Sequence, residues 1–210
     1  VFSLAAPALS DDSVHIKTAE DLCRLSENCT LDTWSQGKTV QLDGDISLEG
    51  VDFTPIPSFG GVFKGNGHTI SGLYISGSYS RAGLFASVQE SGVVKNLNVS
   101  GTVDMQGSSE AAGGIAGVNE GTILSCSFTG TVSGRVNTGA IVGLNQMLGS
   151  VSSCTATGAV YGSKKTGGIA GCNLGLVTIC KNFAYVNTVS EDKNFSIQDF
   201  YIDTTFDLAK

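Results

Sequence analysis

The chain has 210 residues, 41% hydrophobic and only 15% charged, with 28 Gly, 3 Pro and a formal net charge of −7. The charge is uneven: residues 1–52 hold 10 acids and 3 bases, 53–190 hold 4 acids, 7 bases and 25 of the Gly, and 191–210 hold 5 acids and 2 bases. The length suits one domain with its own core. Neither a basic stripe with interleaved aromatics nor an apolar run near the roughly 20 residues of a membrane span is present, so no nucleic-acid partner and no membrane insertion are expected.

In chain order, residues 1–10 are apolar and contain Ala6-Pro7-Ala8, a small-residue pattern like a signal-peptidase site. They read as the remnant of a secretory signal peptide, with a short ordered strand as the alternative. Export would place the protein outside the cell, secreted or at the cell surface, and as part of a longer chain. Residues 11–50 read as an N-terminal cap. Thr18 is a suitable helix N-cap, Glu20 and Asp21 put negative charge in the first turn, and Leu22, Leu25 and Cys29 give one apolar face up to about Asn28. Two alternating strand segments follow at 39–42 and 46–48, separated by the turn residues Asp43-Gly44-Asp45.

From Val62 the sequence repeats five times at intervals of roughly 24 to 31 residues, a period that marks a solenoid. Gly-Gly-Ile-Ala-Gly-Val-Asn at 113–119 returns as Gly-Ala-Ile-Val-Gly-Leu-Asn at 139–145 and Gly-Gly-Ile-Ala-Gly-Cys-Asn at 167–173. Alignment gives apolar columns: Val62, Leu84, Ile115, Ile141, Ile169; Ile70, Val94, Ile123, Val151, Val177; Leu73, Leu97, Cys126, Cys154, Cys180; and Ile75, Val99, Phe128, Ala156, broken by Asn182. Each copy supplies short period-2 strands that cannot bury their inner faces alone, so copies must stack in parallel, roughly 4.8 Å apart. The expected fold is all-β: a right-handed parallel β-helix of about five coils over 51–187, capped by the N-terminal α-helix. Residues 188–210 are acidic and lose the Gly pattern, which fits a C-terminal cap or a linker into further domains.

The repeat, with Gly-x-Ile/Val-x-x-Cys after each Asn and Thr-Gly-Thr-Val-Ser-Gly at 129–134, resembles the GLUG repeat of bacterial surface proteins. Phe63-Lys64-Gly65-Asn66-Gly67-His68-Thr69-Ile70 is similar to a first coil of pectate-lyase-like β-helices. The resemblance covers about 16–189. It implies a module of large exported proteins, adhesin-like proteins and the non-catalytic region of some immunoglobulin A proteases among them, with no catalytic residues to carry over.

Candidate chemistry is sparse. Asn66, Asn119, Asn145 and Asn173 form a column before the Gly corners, where Asn tolerates the left-handed conformation and stacked amides can bond along the axis. Cys126, Cys154 and Cys180 form an inward thiol column. Cys23 and Cys29 bracket the helix end and could form a disulfide, with two separate packed thiols as the alternative. Asp43, Asp45 and Asp52 are the densest acids and the weak candidates for a Ca²⁺ site. Glu90 and Glu120 precede corners on neighbouring coils and could approach as a carboxylate pair. Only His15 and His68 are available, too few for a multi-His metal site, and no nucleophile elbow frames a Ser-His-Asp set. No cofactor is expected. The expected role is a non-catalytic structural or adhesive module whose partner is a host or cell-surface glycan or protein. The alternatives are a carbohydrate-binding or polysaccharide-cleaving β-helix, or an accessory region of a secreted protease. The single Trp34 lies outside the repeats, and the Thr129/Thr131 ladder becomes Phe183/Tyr185 within two coils, which argues against a flat Thr-lined binding face.

Overall fold

A computed structural model describes residues 13–188 except 106 and 108. The expected signal-peptide remnant at 1–10 and the acidic stretch after Thr188 lie outside the described residues. The chain winds into a parallel β-solenoid of about six turns with three strand-bearing faces. Sheet 1 stacks Ser13–Ile16, Thr39–Leu42, Val62–Lys64, Val93–Lys95, Thr122–Leu124, Ser150–Ser152 and Leu176–Thr178. Sheet 2 runs from Ile46–Ser47 through Thr69–Ser76, Asn98–Met105, Ser127–Gly139 and Thr155–Gly167 to Lys181–Thr188. Sheet 3 holds Phe85–Val88, Ala116–Asn119, Val142–Asn145 and Ala170–Asn173, extended toward the N-terminus by bridges Ile56–Phe85 and Phe59–Val88. The turn that includes Thr39–Leu42 and Ile46–Ser47 precedes the five coils counted from Val62 and accounts for the sixth.

Inward columns follow this register. Val40, Phe63, Val94, Ile123, Val151 and Val177 stack in sheet 1. Ile70, Val99, Phe128, Ala156 and Asn182 stack in sheet 2, with Ile75, Val103, Val132, Val160 and Val186 beside them. Four first-coil assignments from sequence are therefore corrected. Val62 pairs with Val93 in sheet 1, Ile70 belongs with Val99, Ile75 with Val103, and Leu73 pairs with Gly101 rather than leading the cysteine column. The cause is local: the Val62 coil is 31 residues long and carries a register shift between Ile70 and Leu73. An alignment anchored on the later glycines slips there.

Close approaches between neighbouring coils explain why the repeat demands glycine. A Cβ on Gly130 would lie 1.9 Å from the Gly101 carbonyl oxygen, and Gly130 has φ +152°. Gly114 faces the Phe128 ring at 2.1 Å from a would-be Cβ. One coil on, the large ring is replaced by Ala156, and Ala140 takes the place of Gly114. Size is matched pairwise across each coil, as close packing requires.

The helix α1 spans Ala19–Asn28. The Thr18 hydroxyl accepts the Asp21 N–H at 3.1 Å, and Asp21 accepts the N–H groups of Lys17 (3.0 Å) and Thr18 (3.1 Å), a reciprocal capping box. These backbone bonds, that from Lys17 first, hold the Asp21 carboxyl below its ordinary range. Leu22, Leu25 and Cys29 are buried, and the Ser26 hydroxyl donates to the Thr54 (2.9 Å) and Pro55 (3.2 Å) carbonyls. The helix thus seals the first turn. Beneath it Phe59, Phe63 and Phe85 pack with ring centroids 5.3 to 6.1 Å apart, an aromatic cluster of favourable tilted and edge geometry.

Candidate functional site

The sequence candidates fall into interior ladders and scattered surface groups. Asn119, Asn145 and Asn173 are in register in sheet 3. The Asn119 amide donates to Asn145 Oδ1 and the Asn145 amide to Asn173 Oδ1, each at 2.8 Å. The same amides reach the corner carbonyls of Gly121 (3.2 Å) and Gly149 (3.1 Å). Asn119 and Asn145 are fully buried, and none of the three has a positive φ. Their asparagines satisfy buried corner carbonyls rather than adopt a left-handed turn. Asn66 is not in this column. It heads a separate left-handed corner shared with Asn96, Ser125, Ser153 and Ile179 (φ 52° to 54°), and its amide donates to the Leu42 carbonyl at 2.9 Å. The coil position of Asn119 is held by Val88 one turn earlier.

Cys126, Cys154 and Cys180 follow those left-handed corners and point inward. Each thiol donates to the carbonyl two residues before it, at 3.3, 3.3 and 3.4 Å. Cys154 is pushed up to about 12 by its hydrogen bond with Cys126 and by burial. Cys180 is raised through its bond with Cys154. Cys23 and Cys29 are both free thiols, one of the two arrangements left open by the sequence. Six residues span about one and two-thirds helical turns, so the two side chains leave α1 on different faces. Burial pushes Cys29 up to about 11.

The acids do not converge. Among the described residues no group of three or more His, Cys, Asp or Glu could hold a metal ion. Asp43 faces His15 (2.8 Å) and Lys17 (3.8 Å). Asp45 accepts the Thr69 N–H at 2.8 Å and meets His68 at 3.3 Å, the backbone bond foremost in lowering its pKa. Asp52 stands apart as an exposed side chain. Glu120 is registered on Gln89, since its N–H bonds the Val88 carbonyl and Asn119 pairs with Val88, so Glu90 is not its partner rung. Ser13, His15 and Asp43 do line up, with Ser13 Oγ to His15 Nε2 at 3.4 Å and His15 Nδ1 to Asp43 at 2.8 Å. They lie on the outer face of sheet 1 and do not line the depression described below, and the 3.4 Å hydroxyl contact is longer than that of a nucleophile engaged with its base.

One surface feature was missed in the sequence. Beyond Met105 the sheet 2 strands of the next two coils run on to Gly139 and Gly167, and Ala111–Gly113 re-enters between Arg81–Ala82 and Thr138–Gly139. Where this extension meets sheet 3 it leaves a depression of about 310 Å³, lined by Arg81, Glu110, Arg135 and Asn137 over Val118 and Leu144. Its residues come from three coils, and no spacing rule joins them. The only signal was the excess of bases over acids in 53–190.

A family model described as the GLUG motif matches residues 108–133, the coil that carries Gly113, Gly114, Asn119 and Cys126. The chain carries a GLUG motif. It is also similar to halomucin of Haloquadratum walsbyi, 37% identical over 145 residues, an alignment covering 63% of this chain and 2% of halomucin. The chain therefore spans a small fraction of that relative's length. Among solved structures it is similar to a Bacteroides ovatus protein provisionally described as an immunoglobulin A1 protease, at 19% identity and a TM-score of 0.53, covering 88% of this chain and 79% of that one. At that identity the likeness shows the shared β-helical fold. No helix among the described residues is long and apolar enough to cross a membrane.

Proposed function

We propose that the chain is a non-catalytic module of an exported or cell-surface protein, a stiff spacer with an adhesive outer face. The observation that carries this reading is the fate of its reactive side chains. The repeated asparagines and cysteines turn inward and are spent on corner carbonyls, and His15 and His68 are each tied to an aspartate on separate corners. What recurs in the sequence is scaffold, so function is left to the variable outer face, as in other solenoids. The likeness to halomucin and the GLUG motif support a surface setting.

The test uses the full chain coupled to beads. Retention on mucin-coated surfaces is measured in parallel with release of reducing ends from polysaccharides and of fragments from immunoglobulin A1. Retention without product release is expected. Product release that disappears in Ser13→Ala or Asp43→Asn would overturn the non-catalytic reading, and absence of retention would overturn the adhesive one.

A further inference from the structure

We infer that the corner depression binds a sugar bearing a carboxylate, held between Arg81 and Arg135. This rests on the adhesive reading above and names the chemistry of its partner. The chain has three arginines. Arg24 is paired with Asp21 on α1. The other two, from different coils, both line this depression, and among the described residues neither guanidinium has an acidic partner within 4 Å or a side-chain hydrogen bond. A guanidinium offers a planar fork of donors that matches a carboxylate in bidentate geometry. Two unengaged forks around one hollow are the complement of an anion. Lys164 and Lys165 occupy the neighbouring coil at the Val136 and Asn137 positions, which adds to the positive field.

The rest of the lining selects among anions. Val118 and Leu144 form an apolar floor suited to the C–H face of a pyranose. Glu110, exposed at the rim, repels a bare anion but accepts hydrogen bonds from sugar hydroxyls. The volume lies at the small end of ligand pockets, the size of a sugar unit or two. A peptide is disfavoured because Ala111–Gly113 is hydrogen-bonded on both edges, so no free strand edge remains for backbone pairing. A longer glycan has somewhere to continue. Tyr161 stacks on Ser133, two residues before Arg135, and its ring lies 6.4 Å from that of Tyr185, which is 62% exposed.

Calorimetric titration of the full chain tests this with trigalacturonate and 3′-sialyllactose, against fully methyl-esterified trigalacturonate and lactose as uncharged counterparts and hexaglutamate as an acidic peptide. At least one acidic sugar is expected to bind, which also identifies the uronic or sialic source. Its ester or neutral counterpart and hexaglutamate should bind at least tenfold more weakly. Arg81→Gln with Arg135→Gln should reduce acidic-sugar affinity tenfold or more while leaving the melting temperature unchanged, because both side chains are exposed and unpartnered. The assignment is overturned if neither acidic sugar binds, if the uncharged counterpart or hexaglutamate binds equally well, or if the double variant keeps its affinity. Mucin retention that survives in the double variant would remove this site and leave the adhesive reading standing; loss of all retention by the unaltered chain would remove the adhesive reading itself.

Discussion

The first and last described turns of the solenoid are built differently. At the N-terminal end α1 covers the first turn, and Leu22, Leu25, Val40, Phe59 and Phe63 are all at most 1% exposed. In the last described turn the same columns reach Val177, Cys180, Ala184 and Val186, all only partly buried. A parallel coil supplies half of its neighbour's interior, so each rung is as stable as what lies on both sides of it. At the N-terminal end the helix takes the place of a further coil; the described residues end at Thr188.

Matched substitutions at the two ends break or sharpen this contrast. Phe63→Ala removes a ring from the buried aromatic cluster and should cost about 3–5 kcal/mol in urea unfolding, whereas Val177→Ala in the same column should cost about 1 kcal/mol or less because the site is already wetted. Leu22→Ala should cost about 2–5 kcal/mol by opening the seal beneath α1. If it behaves like Val177→Ala, the helix is not a cap. Along the amide ladder, Asn145→Ala strips the acceptor of Asn119 and the donor to Asn173, and should cost about 1–3 kcal/mol. Asn173→Ala, on the exposed last rung, should cost clearly less.

Removing the capping hydroxyl by Thr18→Ala should cost about 1 kcal/mol. The pH dependence there has a defined sign. Asp21 has a depressed pKa in the folded chain, so its contribution is present above the unfolded carboxylate value near 4 and is lost as pH falls through the folded value. Asp21→Asn should therefore flatten the acid limb of a stability–pH curve and leave neutral pH as its point of greatest loss. The smallest effect is kinetic: alkylation mapped by mass spectrometry at pH 8 should modify the partly buried Cys180 before the fully buried Cys154.

Much of this was legible in the residues. The period and the inward columns from Leu97, Val94 and Val99 onward depend on local alternation, which sequence displays directly. Thr18 and Glu20-Asp21 marked the start of α1 for the same reason. The first coil was misread because a bulge near Gly72 changes coil length without changing composition. Asn66 joined the wrong ladder because left-handed corners and buried amide ladders both favour asparagine, for different physical reasons. The Arg81–Arg135 depression was invisible because it depends on how far three coils extend, a property of stacking rather than of any one segment.

Amide hydrogen exchange of the full chain, resolved by peptide, measures the central claim directly, because protection reports local stability rung by rung. Strands Thr39–Leu42, Val62–Lys64 and Thr69–Ser76 should be protected to near the global stability, and protection should fall across Thr155–Gly167 to a minimum in Leu176–Thr178 and Lys181–Thr188. Protection in those last two strands equal to that at the helix-capped end would contradict the looser packing of the last described coil.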